Sequence, residues 1–215
     1  MKFAIVDYGV GNLHSVRHAC AAVGVDAVLA PTPDALDGAA AIIVPGVGAF
    51  GSAIETLRRL GFDSAIRVAA DSGKIVVGIC LGMQLFCRSS QEFGSHEGLG
   101  LVDADVVRFP DGMMDGGIAA KVPEVGWNAV SHPGGATWAG SPLEGIPNGE
   151  PFYFVHSYYV VPRAGQPVLA TTSYGEVTFA SCIGQKNVFA CQFHPERSGP
   201  AGLHLYRNIV RMARE

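Results

Sequence analysis

KIVVGICLGMQ, residues 74–84, runs apolar and then turns through two glycines that bracket one cysteine. Ile75, Val76 and Val77 are β-branched and read as a buried strand, whereas Leu81, Met83, Gln84, Leu85 and Phe86 suit a helix, so Cys80 falls at the join. Unpaired cysteine is commonly a small buried hydrophobe. Here, however, Gly78 and Gly82 flank it as G-x-C-x-G, the spacing of the G-x-S-x-G elbow, where small neighbours let a strained nucleophile project above a sheet. A helix beginning at Leu81 also brings its positive dipole end and free N–H groups to the sulfur, which favours thiolate. The segment predicts a strand–turn–helix unit that carries a nucleophile.

Outward from this unit the first half of the chain alternates. FAIVD (3–7) reads as a strand, and Leu13, Val16, Cys20 and Val23 form a helical stripe. VDAVLA is a second strand and AIIVPG a third, followed by helical AIETLRRL and SAIRVAADSG and then the elbow strand. Such alternation implies a parallel sheet covered by helices on both faces, with its site at the carboxyl ends of the strands. In the second half, LVDADVVRFP, KVPEVGWNAV, PFYFVHSYYVVP, VLATTSY, VTFASCIG and NVFACQFHPE follow one another with little helix, which predicts an antiparallel or mixed extension. A closing helix turns Leu203, Tyr206, Ile209, Val210 and Ala213 inward and leaves Arg207, Arg211 and Arg214 for solvent. The glycine-rich stretches near 112–117 and 134–140 read as surface connections, so one α/β domain over residues 1–215 is expected.

Composition narrows the partners. The net charge of −4 is mild and no Lys/Arg block occurs, so neither nucleic acid nor an anionic membrane is an expected partner. MKFAIVDYG holds only a four-residue apolar run before Asp7, too short for a secretory core, and a cytoplasmic location is expected. Five cysteines without a C-x-x-C pair, and seven histidines in no H-E-x-x-H or H-x-H pattern, give no disulfide framework and no metal site; no cofactor is expected.

A cysteine nucleophile needs a base, and the base needs a group to orient it. His14, His18 and His204 sit in amphipathic helices, and His96 and His132 in loops without an adjacent acid. His156, in YFVHSYY, lies on a strand, where histidine is often a satisfied core residue. His194 follows the apolar run NVFA, stands at a strand's carboxyl end with Pro195 stiffening the turn, and has Glu196 two residues on. That His-x-Glu pair places a carboxylate on one ring nitrogen and leaves the other for Cys80, giving a Cys80–His194–Glu196 triad.

GICLGMQ together with QFHPERS resembles the triad signature of the class I glutamine amidotransferases, whose glutaminase domains hydrolyse glutamine to glutamate and ammonia. DYGVGNLHSV (7–16), PGVGAF (45–50), KVPEVGWN (121–128) and YFVHSYY (153–159) resemble the branch of that family that serves histidine biosynthesis. The matching blocks run from the first strand to the last loop, and the resemblance implies the flavodoxin-like fold of the family, mostly parallel with an antiparallel extension. It also implies that Cys80 attacks the glutamine amide carbon, His194 moves the proton to the leaving ammonia and Glu196 orients His194. Leu81 N–H and the turn at Val47 and Gly48 would form the oxyanion hole, with Gly46, Gln84, Ser157 and Tyr158 around the substrate glutamine. Glycines at 46 and 48 allow that turn more than one peptide orientation.

In this branch ammonia passes to a (β/α)8-barrel cyclase subunit, which forms imidazole glycerol phosphate and an aminoimidazole carboxamide ribonucleotide. Asn12, Trp127, Tyr153 and Arg197 lie in motifs associated with that interface. Glu124 stands where histidine is more usual, and Arg197 where lysine is; both fall in partner-facing motifs. Two other readings share the triad: a paralogous glutaminase serving a sugar-modifying amidotransferase, and a free-standing cysteine hydrolase. GMQ after the elbow and the YFVHSYY block favour glutamine, and intact Cys80, His194 and Glu196 argue against a non-catalytic binding protein.

Overall fold

A computed structural model describes residues 1–134 and 137–214. Four strands, β1 (Lys2–Val6), β2 (Asp26–Ala30), β3 (Ala41–Gly46) and β4 (Ile75–Cys80), lie parallel in the order β2-β1-β3-β4, and the strand Val188–Cys191 joins beside β4 in the same direction. Beyond it the sheet continues through Val177–Gln185, Tyr158–Pro162 and Ala104–Arg108 with antiparallel pairing, to eleven strands among the described residues. Parallel core and antiparallel extension thus divide the chain as the sequence patterning predicts.

Alternation along each strand sorts the apolar residues to two faces. Ala4, Val6, Ile42, Val44 and Val76 pack under α2 (Phe50–Arg59) and α3 (Phe62–Asp71), while Phe3, Ile5, Ile43, Val77 and Ile79 pack under α1 (Leu13–Ala22) and α5 (Gly199–Met212). The closing helix buries Tyr206, Ile209 and Val210 as expected and adds Leu205, while Arg207, Arg211 and Arg214 are exposed.

The elbow owes its glycines to packing as much as to the turn. The helix α4 (Leu81–Phe86) is six residues long and buried throughout, because it lies directly on β3 and β4. A Cβ on Gly82 would overlap the Val44 carbonyl oxygen, and one on Gly78 would stand 2.9 Å from the backbone of Gly82 and Met83. Gly82→Ala is therefore expected to destabilise the protein by about 3 kcal/mol, the upper range for overpacking. A lower urea midpoint at unchanged slope would show it; an unchanged midpoint would mean that α4 does not sit on β3 in this way.

PFYFVHSYYVVP departs from the single strand its apolar run suggests. It breaks at Ser157: Glu150–His156 pairs with Glu124–Val130 in a separate two-stranded ribbon, and Tyr158–Pro162 returns to the main sheet. The ribbon buries Phe152 and Phe154 against the sheet, with the Phe152 ring tilted against that of Phe193 at 4.3 Å between centroids, and turns Val125 and Trp127 outward. Of the two glycine-rich stretches, the first forms a small hairpin pairing Met114–Asp115 with Ile118–Ala119; part of the second, residues 135 and 136, lies outside the described residues.

Candidate active site

Register alone gathers the site. Gly46 of β3 pairs with Cys80 of β4, and Ile79 pairs with Cys191, so three neighbouring parallel strands deliver the 46–48 turn, the cysteine and the 192–196 segment to one edge. Cys80 caps α4 with φ 55° and ψ −110°, a conformation that costs a non-glycine residue about 1–3 kcal/mol. That backbone lifts the side chain out of the strand's alternation, and the sulfur, though buried, borders a cavity of about 270 Å3.

His194 and Glu196 meet as the spacing predicts. Nδ1 lies 2.7 Å from Glu196 Oε1, and both side chains are nearly sealed from solvent. The backbone holds the pair: His194 N–H donates to the Tyr153 carbonyl, and the Ser198 hydroxyl donates to the His194 carbonyl while accepting from Tyr153 N–H. His194 Nε2 has no hydrogen bond of good geometry among the described residues. Burial by itself would discharge the ring, but the adjoining Cys80 sulfur and the Glu196 carboxylate outweigh it and push the imidazole up to about 10. A charged, oriented imidazole beside a strained cysteine is the arrangement of a covalent acyl-transfer centre.

The cavity is lined by Val47, Gly48, Leu81, Gln84, Ser157 and Tyr158, so six of the residues expected around the substrate surround Cys80, and Gly46 adjoins it in register. Gly48 holds φ +98°, a conformation that a side chain would oppose. The Tyr8 hydroxyl, buried, donates to the Pro45 carbonyl at 2.9 Å and pins the start of that turn.

The chain matches the family model "Glutamine amidotransferase class-I" over residues 4–213. It belongs to the class I glutamine amidotransferases. Among curated relatives, "Imidazole glycerol phosphate synthase subunit HisH" of Chlorobaculum tepidum is 42% identical, covering 96% of this chain and 98% of that protein. The protein of the same name from Herpetosiphon aurantiacus is 43% identical, over 98% of this chain and 94% of its own length. Solved structures agree on the fold: a glutamine amidotransferase superposes with TM-score 0.75 at 20% identity, over 99% of each chain. PurLQS from Thermotoga maritima does so at 0.74 and 20% identity, over 98% of this chain and 97% of that one.

In this amidotransferase the residues expected at a partner interface divide. Trp127 is 57% exposed, its ring 6.1 Å from that of Tyr153, and the Arg197 guanidinium lies 4.4 Å over Tyr153, making one exposed aromatic–cation cluster beside His194. Asn12 is exposed just ahead of α1. Glu124 departs from the partner-facing expectation: it is buried, its Oε2 3.1 Å from His156 Nε2 on the paired strand. Alternation along the ribbon decides this, since Trp127 outward puts Glu124, three positions away, inward.

Three residues of the site went unread in the sequence. Glu92 lines the cavity and accepts the Phe50 N–H at 2.6 Å. Tyr8 and Gln192 each lie inside a recognised motif, but the contacts they make join segments far apart in the chain. Glu92 stands among other polar residues, RSSQEFGSHE (88–97), and nothing local singles it out.

Proposed function

We propose that the chain is the glutaminase subunit of an imidazole glycerol phosphate synthase, a single domain hydrolysing glutamine and supplying ammonia to a (β/α)8-barrel cyclase in the cytoplasm. The observation that carries this reading is the convergence of Cys80 and the His194–Glu196 pair on one sheet edge, in a chain alike to such subunits over nearly its full length.

Cys80 and His194 react as a thiolate–imidazolium pair with the proton on His194 Nε2, and the sulfur attacks the carboxamide carbon of glutamine while the carbonyl electrons move onto oxygen. Leu81 N–H and the Val47–Gly48 turn stabilise that oxyanion. His194 returns the proton to the amide nitrogen, the C–N bond breaks and ammonia leaves a thioester. Water, deprotonated by His194, then cleaves the thioester to glutamate, and sulfur leaves as thiolate beside the imidazolium, which restores the resting pair. Glu92 offers a counter-charge to the substrate ammonium, with Gly46, Gln84, Ser157 and Tyr158 shaping the rest of the pocket.

Ammonia released into neutral water is mostly protonated and no longer a nucleophile, so a sealed route to the acceptor is needed. The outward face of the ribbon, with Val125, Trp127 and Tyr153, together with Arg197 and Asn12, is suited to dock the cyclase. Trp127→Ala is expected to weaken the complex by about 2 kcal/mol, roughly thirtyfold in Kd, the scale of an interfacial aromatic anchor. Titrating the cyclase with the variant measures this, and an unchanged Kd would move the interface elsewhere.

The function itself is tested by ammonia release from glutamine with the chain alone, and then with the cyclase and its ribonucleotide ligand. Hydrolysis that rises on adding the liganded cyclase supports the reading. Partner-free peptide cleavage without glutaminase activity would favour a cysteine hydrolase instead.

A further inference from the structure

We propose that Gln192 is a further catalytic residue, an amide donor to the Cys80 sulfur that holds the thiolate in its attacking position. Its Nε2 lies 3.7 Å from Sγ, within the reach of an N–H to sulfur hydrogen bond, and the residue is wholly buried. The inference rests on Cys80 being the nucleophile.

The direction of the amide decides the chemistry, since an oxygen turned to the sulfur would repel the thiolate. Three bonds settle it. The Tyr158 carbonyl only accepts, so Gln84, which meets it at 3.0 Å, presents its NH2 group there. The same Gln84 nitrogen lies 3.1 Å from Gln192 Oε1 and donates its second hydrogen to it. Gln192 is thereby turned oxygen toward Gln84 and NH2 toward Cys80. The other lone pair of the Tyr158 carbonyl is taken by His156 Nδ1 at 2.8 Å, so the anchor of the chain is saturated and has no second use for Gln84.

The placement of Gln192 follows from register. Ile79 pairs with Cys191, so the next residue on each strand, Cys80 and Gln192, stand side by side beyond the last ladder pair. The Gln192 N–H donates to the Ser181 carbonyl at 2.9 Å, fixing its backbone to the neighbouring antiparallel strand, Val177–Gln185. His194 then serves the sulfur as the proton carrier, while Gln192 serves it as a fixed dipole that gives up no proton. A neutral donor stabilises the sulfur anion in the resting enzyme, and again when the thioester collapses and sulfur is the leaving group. A second Cys80 contact, to the Val155 carbonyl at 3.9 Å, requires the sulfur to donate and so exists only in the thiol. Ionisation therefore removes the Val155 contact and strengthens the Gln192 contact, since a thiol sulfur accepts only weakly.

The test reads the pH dependence of Cys80 alkylation by iodoacetamide together with glutaminase kcat, in wild type, Gln192→Met, Gln192→Glu and Cys80→Ala. The alanine variant supplies the background from the other four cysteines. Methionine keeps the volume and removes the donor; the expected result is an alkylation midpoint about one pH unit higher and a kcat about 10- to 100-fold lower, the scale of a hydrogen bond to a charged group. Glutamate, which turns charge on the sulfur, is expected to shift the midpoint further. In the unmodified protein the Gln192 side-chain amide resonances should titrate with that same midpoint, a measurement independent of whether either variant folds. A flat amide signal, or a Gln192→Met chain with wild-type midpoint and kcat, overturns the proposal while leaving Cys80 as nucleophile. Glutaminase activity surviving in Cys80→Ala would instead overturn the nucleophile assignment beneath it.

Discussion

Cys80→Ala abolishes glutamine-dependent turnover, a fall of about 10⁴-fold or more, the loss seen when a covalent nucleophile is removed and only binding and oxyanion stabilisation remain. The substitution is sterically mild, because alanine removes the sulfur from a residue that already borders a cavity. It leaves α4 seated on β3 and β4, although φ 55° remains a costly conformation for alanine too. Synthesis by the assembled enzyme supplied with ammonium salts survives, since the cyclase then needs nothing from the thiol. Both assays are run on one preparation, with glutamine and then ammonium as nitrogen source. An alanine variant that hydrolyses glutamine at the wild-type rate, or one that loses both activities while folded, would contradict the assignment.

His194→Asn lowers kcat by about 10²- to 10⁴-fold, the range for loss of a general acid–base. Glu196→Gln is milder, because an amide oxygen can still accept from Nδ1 and orient the ring, as the amide of Cys-His-Asn centres does. The two variants also differ in their pH profiles. In the folded protein His194 is pushed up to about 10, so its imidazolium form persists from neutral pH until the pH rises through that value. Removing the Glu196 charge removes one of the causes that raise it, while burial continues to favour the neutral ring. The alkaline limb of kcat/KM in Glu196→Gln therefore moves to lower pH. The same sign holds for stability: a raised folded pKa contributes fully below about 6.5, the ordinary histidine value, and the contribution is lost as pH rises toward 10. Rate profiles across pH 6 to about 10.5 decide the matter. His194→Asn at the wild-type rate, with His156→Asn inactive, would transfer the base to the other buried strand histidine.

The sequence by itself determined the elements and the chemical types at the site. Period-two and helical patterning located β1 to β4 and α1, and a cysteine between glycines at a strand–helix join, with His-x-Glu after another strand, is local enough to read from consecutive residues. Tertiary structure alone decided how these ends combine. Cys80 and His194 are neighbours because Val188–Cys191 inserts beside β4, a pairing across more than a hundred residues that no local pattern encodes. The break at Ser157 was equally illegible: both halves of PFYFVHSYYVVP favour strand, and only the competition between two sheets for the same segment sends Glu150–His156 to the ribbon and Tyr158–Pro162 back to the main sheet. That choice turns Glu124 inward to His156 and Trp127 outward. The amide chain from Tyr158 through Gln84 and Gln192 to the Cys80 sulfur likewise joins three distant segments. Secondary structure follows from forces between residues a few positions apart, whereas strand order, and with it every bond across the site, follows from which apolar faces are buried together.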